Sequence, residues 1–146
     1  MAMDKIAVLG FGSSGQRFAS LVSQRLPEAE LLVYSSQQLT GESFRSTSDL
    51  SEVSKFEPTI AIICGVASNR LAMAKALPKE MRGVLIEKPL AVNYEEGIQV
   101  TNELVQREGI AQVGYNLRFS PSLREFKREV DSLRFGRVLS VRAETG

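Results

Sequence analysis

Apolar residues cluster along the chain into short runs separated by longer amphipathic stretches, the alternation that builds a parallel sheet covered by helices. Lys5 to Leu9 is the first run; it is too continuously apolar for a half-exposed strand and predicts a buried central one. From Ser14 to Leu26, Phe18, Leu21, Val22 and Leu26 share one helical face, and Pro27 forbids further helix. Leu31 to Tyr34, Thr59 to Cys64, Gly83 to Ile86 and Ile110 to Gly114 predict four further strands. Ser35 to Ser43 lacks apolar periodicity and reads as a loop, with a short extended piece after it at Phe44 to Ser46.

Between these runs the spacing predicts helices. Asp49 and Glu52 have capping-box spacing and open a brief helix to Val53, and Asn93 with Glu96 opens a longer one to about Arg107, stopped by Gly109. A helix from about Ser68 to Leu77 ends at Pro78. From Ser120 to Phe135, Leu123, Phe126, Val130 and Leu133 form one apolar stripe among charges, and Gly136 closes the helix. Val138 to Ala143 alternates apolar and polar residues as a half-exposed strand does. The expected fold class is α/β, a doubly wound and mostly parallel sheet over residues 1–119. Residues 120–146 are expected to carry one further helix and one further strand outside that sheet. A strand cannot satisfy its backbone groups alone, so either the last one adds to the edge of the preceding sheet or this chain is the front part of a longer protein; the second is expected.

Composition narrows the function. In 146 residues, 43% hydrophobic and 24% charged, there is material for about one domain with a sizeable core. Eighteen Lys and Arg against seventeen Asp and Glu leave a net charge of +1, too weak a field to recruit nucleic acid or an anionic membrane. No apolar run approaches the roughly 20 residues that span a bilayer. The single cysteine, Cys64, cannot form an internal disulfide, and a reducing cytoplasm fits it. There is no histidine, which removes His-Cys zinc sites, Ser-His-Asp triads and imidazole bases; no metal site is expected.

Gly10-Phe11-Gly12-Ser13-Ser14-Gly15 is a complete G-x-G-x-x-G after a strand and before a helix, the context of a dinucleotide cradle. Gly10 allows the tight turn, Gly12 the approach of pyrophosphate and Gly15 close helix–strand packing, with free amides at the helix start for the phosphates. A tight turn without ligand, or a methyltransferase-type loop, has the same pattern. After the second strand the residues are Tyr34-Ser35-Ser36, with no carboxylate before Glu42. Hydroxyls of Ser35 and Ser36, with Arg45, suit a 2′-phosphate, so NADP is expected slightly ahead of NAD, unless both serines are plain loop residues. Glu87-Lys88-Pro89 follows the fourth buried run at the carboxyl edge, where open α/β sheets bind ligands. There Lys88, if partly desolvated, can polarise a carbonyl or exchange a proton with a hydroxyl; the alternative is a solvated loop charge. Asn116 and Arg118 follow the next strand and can face the same crevice, or cap a turn and pair with a carboxylate. Cys64, without a basic neighbour, reads as a small buried hydrophobe.

These pieces together resemble the Gfo/Idh/MocA family, NAD(P)-dependent oxidoreductases of sugars and cyclitols. The resemblance rests on Gly10 to Gly15, Ile62-Ile63-Cys64-Gly65-Val66, Glu87-Lys88-Pro89 and Gly114-Tyr115-Asn116-Leu117-Arg118-Phe119-Ser120-Pro121, in matching order from about residue 4 to 146. It implies a cofactor site of Gly10, Phe11, Gly12, Ser13, Ser14, Gly15, Ser35, Ser36, Cys64, Glu87, Lys88 and Arg118. It implies Lys88 as the catalytic residue beside nicotinamide and substrate hydroxyl, Asn116 toward the small-molecule substrate, and a homo-oligomer in the complete protein. The family's usual catalytic histidine lies in a second, sheet-rich α+β domain, and the resemblance implies that residues 120–146 are the linking helix and first strand of that domain. Two departures stand out: Ser35 to Ser43 is too short for the helix usual there, and Ala67-Ser68-Asn69-Arg70 replaces a segment that often carries Pro and His. The alternative function is a nucleotide-binding sensor or assembly module without turnover.

Overall fold

The computed structural model describes residues 3–37, 39 and 44–144. Six strands form one sheet: β1 (Lys5–Leu9), β2 (Glu30–Tyr34), β3 (Arg45–Thr47), β4 (Ile60–Ile63), β5 (Gly83–Ile86) and β6 (Ile110–Val113). Their order is β3-β2-β1-β4-β5-β6 and every neighbouring pair is parallel. Val8 at the centre stands opposite Val33 of β2 and Ile62 of β4. This is the Rossmann order, whose direction reverses between β1 and β4, so a crevice opens at their carboxyl ends.

The described residues form five helices: α1 (Ser13–Arg25), α2 (Leu50–Phe56), α3 (Arg70–Lys75) and α4 (Tyr94–Val105) between the strands, and α5 (Pro121–Asp131) after the last of them. Side-chain alternation in β1 divides the core into two layers. Ala7 and Leu9 pack with Val53 and Phe56 of α2, Met73 and Ala74 of α3, and Val100 and Leu104 of α4. Ile6 and Val8 point the other way, onto Ala19 and Val22 of α1. At the sheet edge, β6 is largely exposed, Ile110 at 76%, although its sequence reads as an apolar run. Among the described residues, no helix is long and apolar enough to cross a membrane.

Several boundaries differ from the periodicity. Helix α2 runs three residues past Val53 to Phe56 and stops at Glu57, whose φ of 53° is left-handed, ahead of the buried Pro58. The Asp49 box is only half made: its carboxylate accepts from the Ser51 amide at 2.8 Å, while Glu52 turns to Arg45 and Lys55. At α4, Asn93 Oδ1 accepts from the Glu96 amide at 2.9 Å, and the Glu96 carboxylate accepts from the Val92 amide, one residue before the cap. Helix α3 is preceded by a 3-10 turn, Ala67–Asn69, and α5 by another, Asn116–Phe119. The region of the Ser35–Ser43 loop contains residues 38 and 40–43, which lie outside the described residues.

The chain divides into two compact units, Met1–Gly114 and Tyr115–Gly146, at the end of β6 and ahead of the Asn116–Phe119 turn. In the second unit, α5 stops at Asp131, four residues short of Phe135, with Leu133 (φ 54°) and Gly136 (φ 84°) both left-handed beyond it. The strand expected at Val138–Ala143 is not formed. The alternation is present, but among the described residues no strand pairs with it, and an unpaired strand leaves its amides and carbonyls to water.

Candidate functional site

The turn after β1 is locked by contacts on both sides. Gly10 has φ 101°, and its amide donates to the Tyr34 carbonyl of β2 at 2.8 Å. A Cβ at Gly10 would lie 2.4 Å from the Gly65 nitrogen, so the end of β4 presses directly on this turn. A Cβ at Gly15 would meet the Gly10 carbonyl oxygen at 1.9 Å, which is why the first turn of α1 can sit against the loop only with glycine there. Gly12 behaves oppositely: a Cβ there would meet nothing within 4 Å. The space over Gly12 is open to a ligand, and Gly12 is the N-cap of α1, with no side chain capping the helix. The amides of Ser13, Ser14 and Gly15 therefore have no acceptor within the helix, and the positive end of its dipole faces that space.

A cleft of about 290 Å³ runs from this turn across the ends of β2 and β4. Of the residues expected at the cofactor, Gly10, Phe11, Gly12, Ser35, Ser36 and Cys64 line it, beside Val66, Asn69 and Met73. Ser35 is only 7% exposed; its Oγ accepts from the Gln37 amide at 3.1 Å, leaving its proton for donation, while Ser36 is exposed. Arg45 does not join them. It opens β3 opposite Leu32, two residues before the end of β2, and its guanidinium lies 3.4 Å from Glu52. Burial, reinforced by the Glu87 carboxylate, pushes the Cys64 thiol up to about 12, so it is a neutral wall group and not a nucleophile.

Lys88 and Glu87 follow β5, and the Lys88–Pro89 peptide bond is cis. The Glu87 amide donates to Ile63 of β4 at 2.9 Å, continuing the sheet to the turn. The Glu87 side chain, 13% exposed, lies 4.0 Å from Arg17 of α1, and its Oε2 accepts from the Lys88 amide at 3.2 Å. The Lys88 side chain is exposed, not partly desolvated, and makes no ion pair within 4 Å among the described residues. Asn116 and Arg118 belong to the second unit, in its exposed 3-10 turn.

The sequence reading missed Arg70. It is 4% exposed, and its guanidinium donates to the carbonyls of Gly65 (Nε, 3.0 Å), Glu87 (Nη1) and Lys88 (Nη2, 3.3 Å). Burial lowers its affinity for its proton, opposed by the Glu87 carboxylate. No local signal marks it, because its three carbonyl partners follow two different strands and meet it only in the folded sheet.

Residues 5–115 match the family described as an oxidoreductase family with an NAD-binding Rossmann fold, GFO_IDH_MocA. The chain belongs to this family. This Gfo/Idh/MocA chain is 36% identical over 85 residues to inositol 2-dehydrogenase 2 of Saccharopolyspora erythraea, covering 57% of the chain and 25% of that protein. It is 34% identical over 92 residues to D-xylose dehydrogenase of Paenarthrobacter nicotinovorans, covering 62% and 24%. Among solved structures it resembles myo-inositol dehydrogenase from Lactobacillus casei in complex with NAD(H) and myo-inositol (TM-score 0.77, 18% identity, 92% of this chain and 43% of that one). It also resembles the WlbA dehydrogenase of Chromobacterium violaceum in complex with NADH and UDP-GlcNAcA (TM-score 0.73, 19% identity, 92% and 41%). At those identities the structures share the fold. The chain spans about a quarter of the curated relatives and under half of the structural ones.

Proposed function

We propose that this chain is the dinucleotide-binding part of an NAD(P)-dependent oxidoreductase that transfers a hydride between nicotinamide and a hydroxyl-bearing carbon of a sugar, cyclitol or related small molecule. One observation carries the reading. Gly10 and Gly15 have no room for a Cβ, while Gly12 faces open space at the uncapped start of α1, which is the division of labour a pyrophosphate cradle requires. The amides of Ser13, Ser14 and Gly15 would hold the phosphates, and Phe11, Cys64 and Glu87 would border the nucleotide. With no carboxylate after β2, the Ser35 and Ser36 hydroxyls would meet the ribose 2′ substituent and tolerate a phosphate, so NADP is favoured slightly over NAD.

When bound, the nicotinamide supplies the hydride acceptor or donor. Lys88 would hold the substrate oxygen and exchange a proton with it at Nζ, and Asn116 and Arg118 would lie toward substrate and cofactor. Residues 120–146 would lead into a substrate domain. Turnover of a panel of polyols and sugars with NAD and NADP, by a protein that carries the substrate domain as well, tests this: Lys88→Ala is expected to lower kcat about 10²-fold or more, and an unchanged kcat would remove Lys88 from the chemistry. A nucleotide-binding module without turnover is the second reading. It is favoured by the exposure of Lys88, and it predicts cofactor binding with no oxidation of any member of the panel.

A further inference from the structure

We propose that Arg70 is a positioning residue that holds Lys88 in register with the nucleotide cradle. The two parts of the proposed site sit on different strands. The cradle leans on Gly65, at the end of β4, and Lys88 follows the end of β5. Where strands leave a sheet their last carbonyls lose ladder partners and need donors. One buried side chain supplies them: Arg70 reaches Gly65 through Nε at 3.0 Å, Glu87 through Nη1 and Lys88 through Nη2 at 3.3 Å.

The geometry is specific to arginine. Three N–H groups of one rigid planar fork address three carbonyls on two strands, whereas a lysine ammonium is a single point that cannot span them. Gly65 is fixed a second time, because its amide donates to Leu9 of β1 at 2.9 Å and a Cβ on it would meet the Met73 sulfur at 2.6 Å. Among the described residues Lys88 has no comparable second anchor on another strand: its amide donates to the adjoining Glu87 carboxylate, and its side chain is exposed. The guanidinium thus transfers the rigidity of the β4 end to the Lys88 turn. Arg70 would touch neither substrate nor reacting atoms, and would act through the backbone that carries Lys88.

Because that role presupposes a nucleotide in the cleft, as proposed above, the test reads the clamp and the ligand separately. Backbone ¹⁵N relaxation is measured on the chain and on Arg70→Lys, with an NADH titration of each. The expected result is a wild-type Lys88 amide ordered like the sheet, with an order parameter near ~0.85. In Arg70→Lys it should fall below ~0.6 while the amides of β1, β4 and β5 keep their shifts. A folded Arg70→Lys with Lys88 still ordered overturns the proposal. If Arg70→Lys does not fold, Arg70→Gln is read the same way; failure of both to fold makes Arg70 a general scaffold residue and overturns it too. Loosening of Lys88 in a chain that does not titrate with NADH would support the clamp and sink the dinucleotide reading instead.

Discussion

Three glycines in one loop do three different jobs, and substitution separates them. Gly10→Ala must place a Cβ against Gly65 backbone at a φ of 101°, and should destabilise the fold by at least about 1–2 kcal/mol in urea unfolding. Gly12→Val meets open space and should leave stability within about 1 kcal/mol while abolishing NAD(P)H binding. Equal stability losses in the two variants would contradict the assignment. Cys64 is tested by its chemistry: with the thiol pushed up to about 12, alkylation of the native chain at pH 8 should be far slower than that of the unfolded chain. The sign of the linkage follows from the raised value. Between pH about 9 and 12 the unfolded chain releases a proton that the native chain keeps, so stability should fall as pH rises through that window. Most of these residues were legible in the sequence because the glycine motif is local. The pressure of Gly65 on Gly10 was not, since it joins positions 55 residues apart through the pairing of β1 with β4. Arg70 was hidden for the same reason: its partners lie on two strand ends that only the folded sheet brings together.

Among elements, the ones with local punctuation could be read and the ones that depend on distant partners could not. Gly83–Ile86 was placed to the residue, and Asn93 marked the start of α4 because an Asn cap and a Glu three residues on are a short-range signal. Asn93→Ala should therefore cost about 1 kcal/mol, checked by thermal unfolding; no change would mean the cap does not stabilise α4. The end of α2 carried no glycine, because Glu57 takes the left-handed cap, and the periodicity stopped three residues early. The Val138–Ala143 alternation describes a side-chain pattern, but a strand also needs a neighbour, which no single segment supplies. The sheet edge failed likewise: Ile110–Val113 reads apolar, yet only its position in the strand order decides that it is exposed.

At the scale of the molecule, the strand order puts the ends of β1 and β4 side by side, and with them the cradle, the cleft and the guanidinium beneath the Lys88 turn. The second unit carries its own concavity of about 690 Å³, lined by Phe126, Val130, Phe135, Val138, Leu139 and Val141 among others, and all of these but the half-buried Val130 are largely exposed. So much apolar surface predicts association with rising concentration in analytical ultracentrifugation, and a strictly monomeric species throughout would contradict it. The family membership, the fold and the proposed nucleotide site all stand independently of that result. The most direct test is a calorimetric titration of the chain with NADPH and with NADH, repeated on Gly12→Val. Saturable one-to-one binding, tighter for NADPH and absent in the folded Gly12→Val variant, is the predicted result. No saturable heat with either dinucleotide, in a chain that unfolds cooperatively, would contradict the cradle at the start of α1.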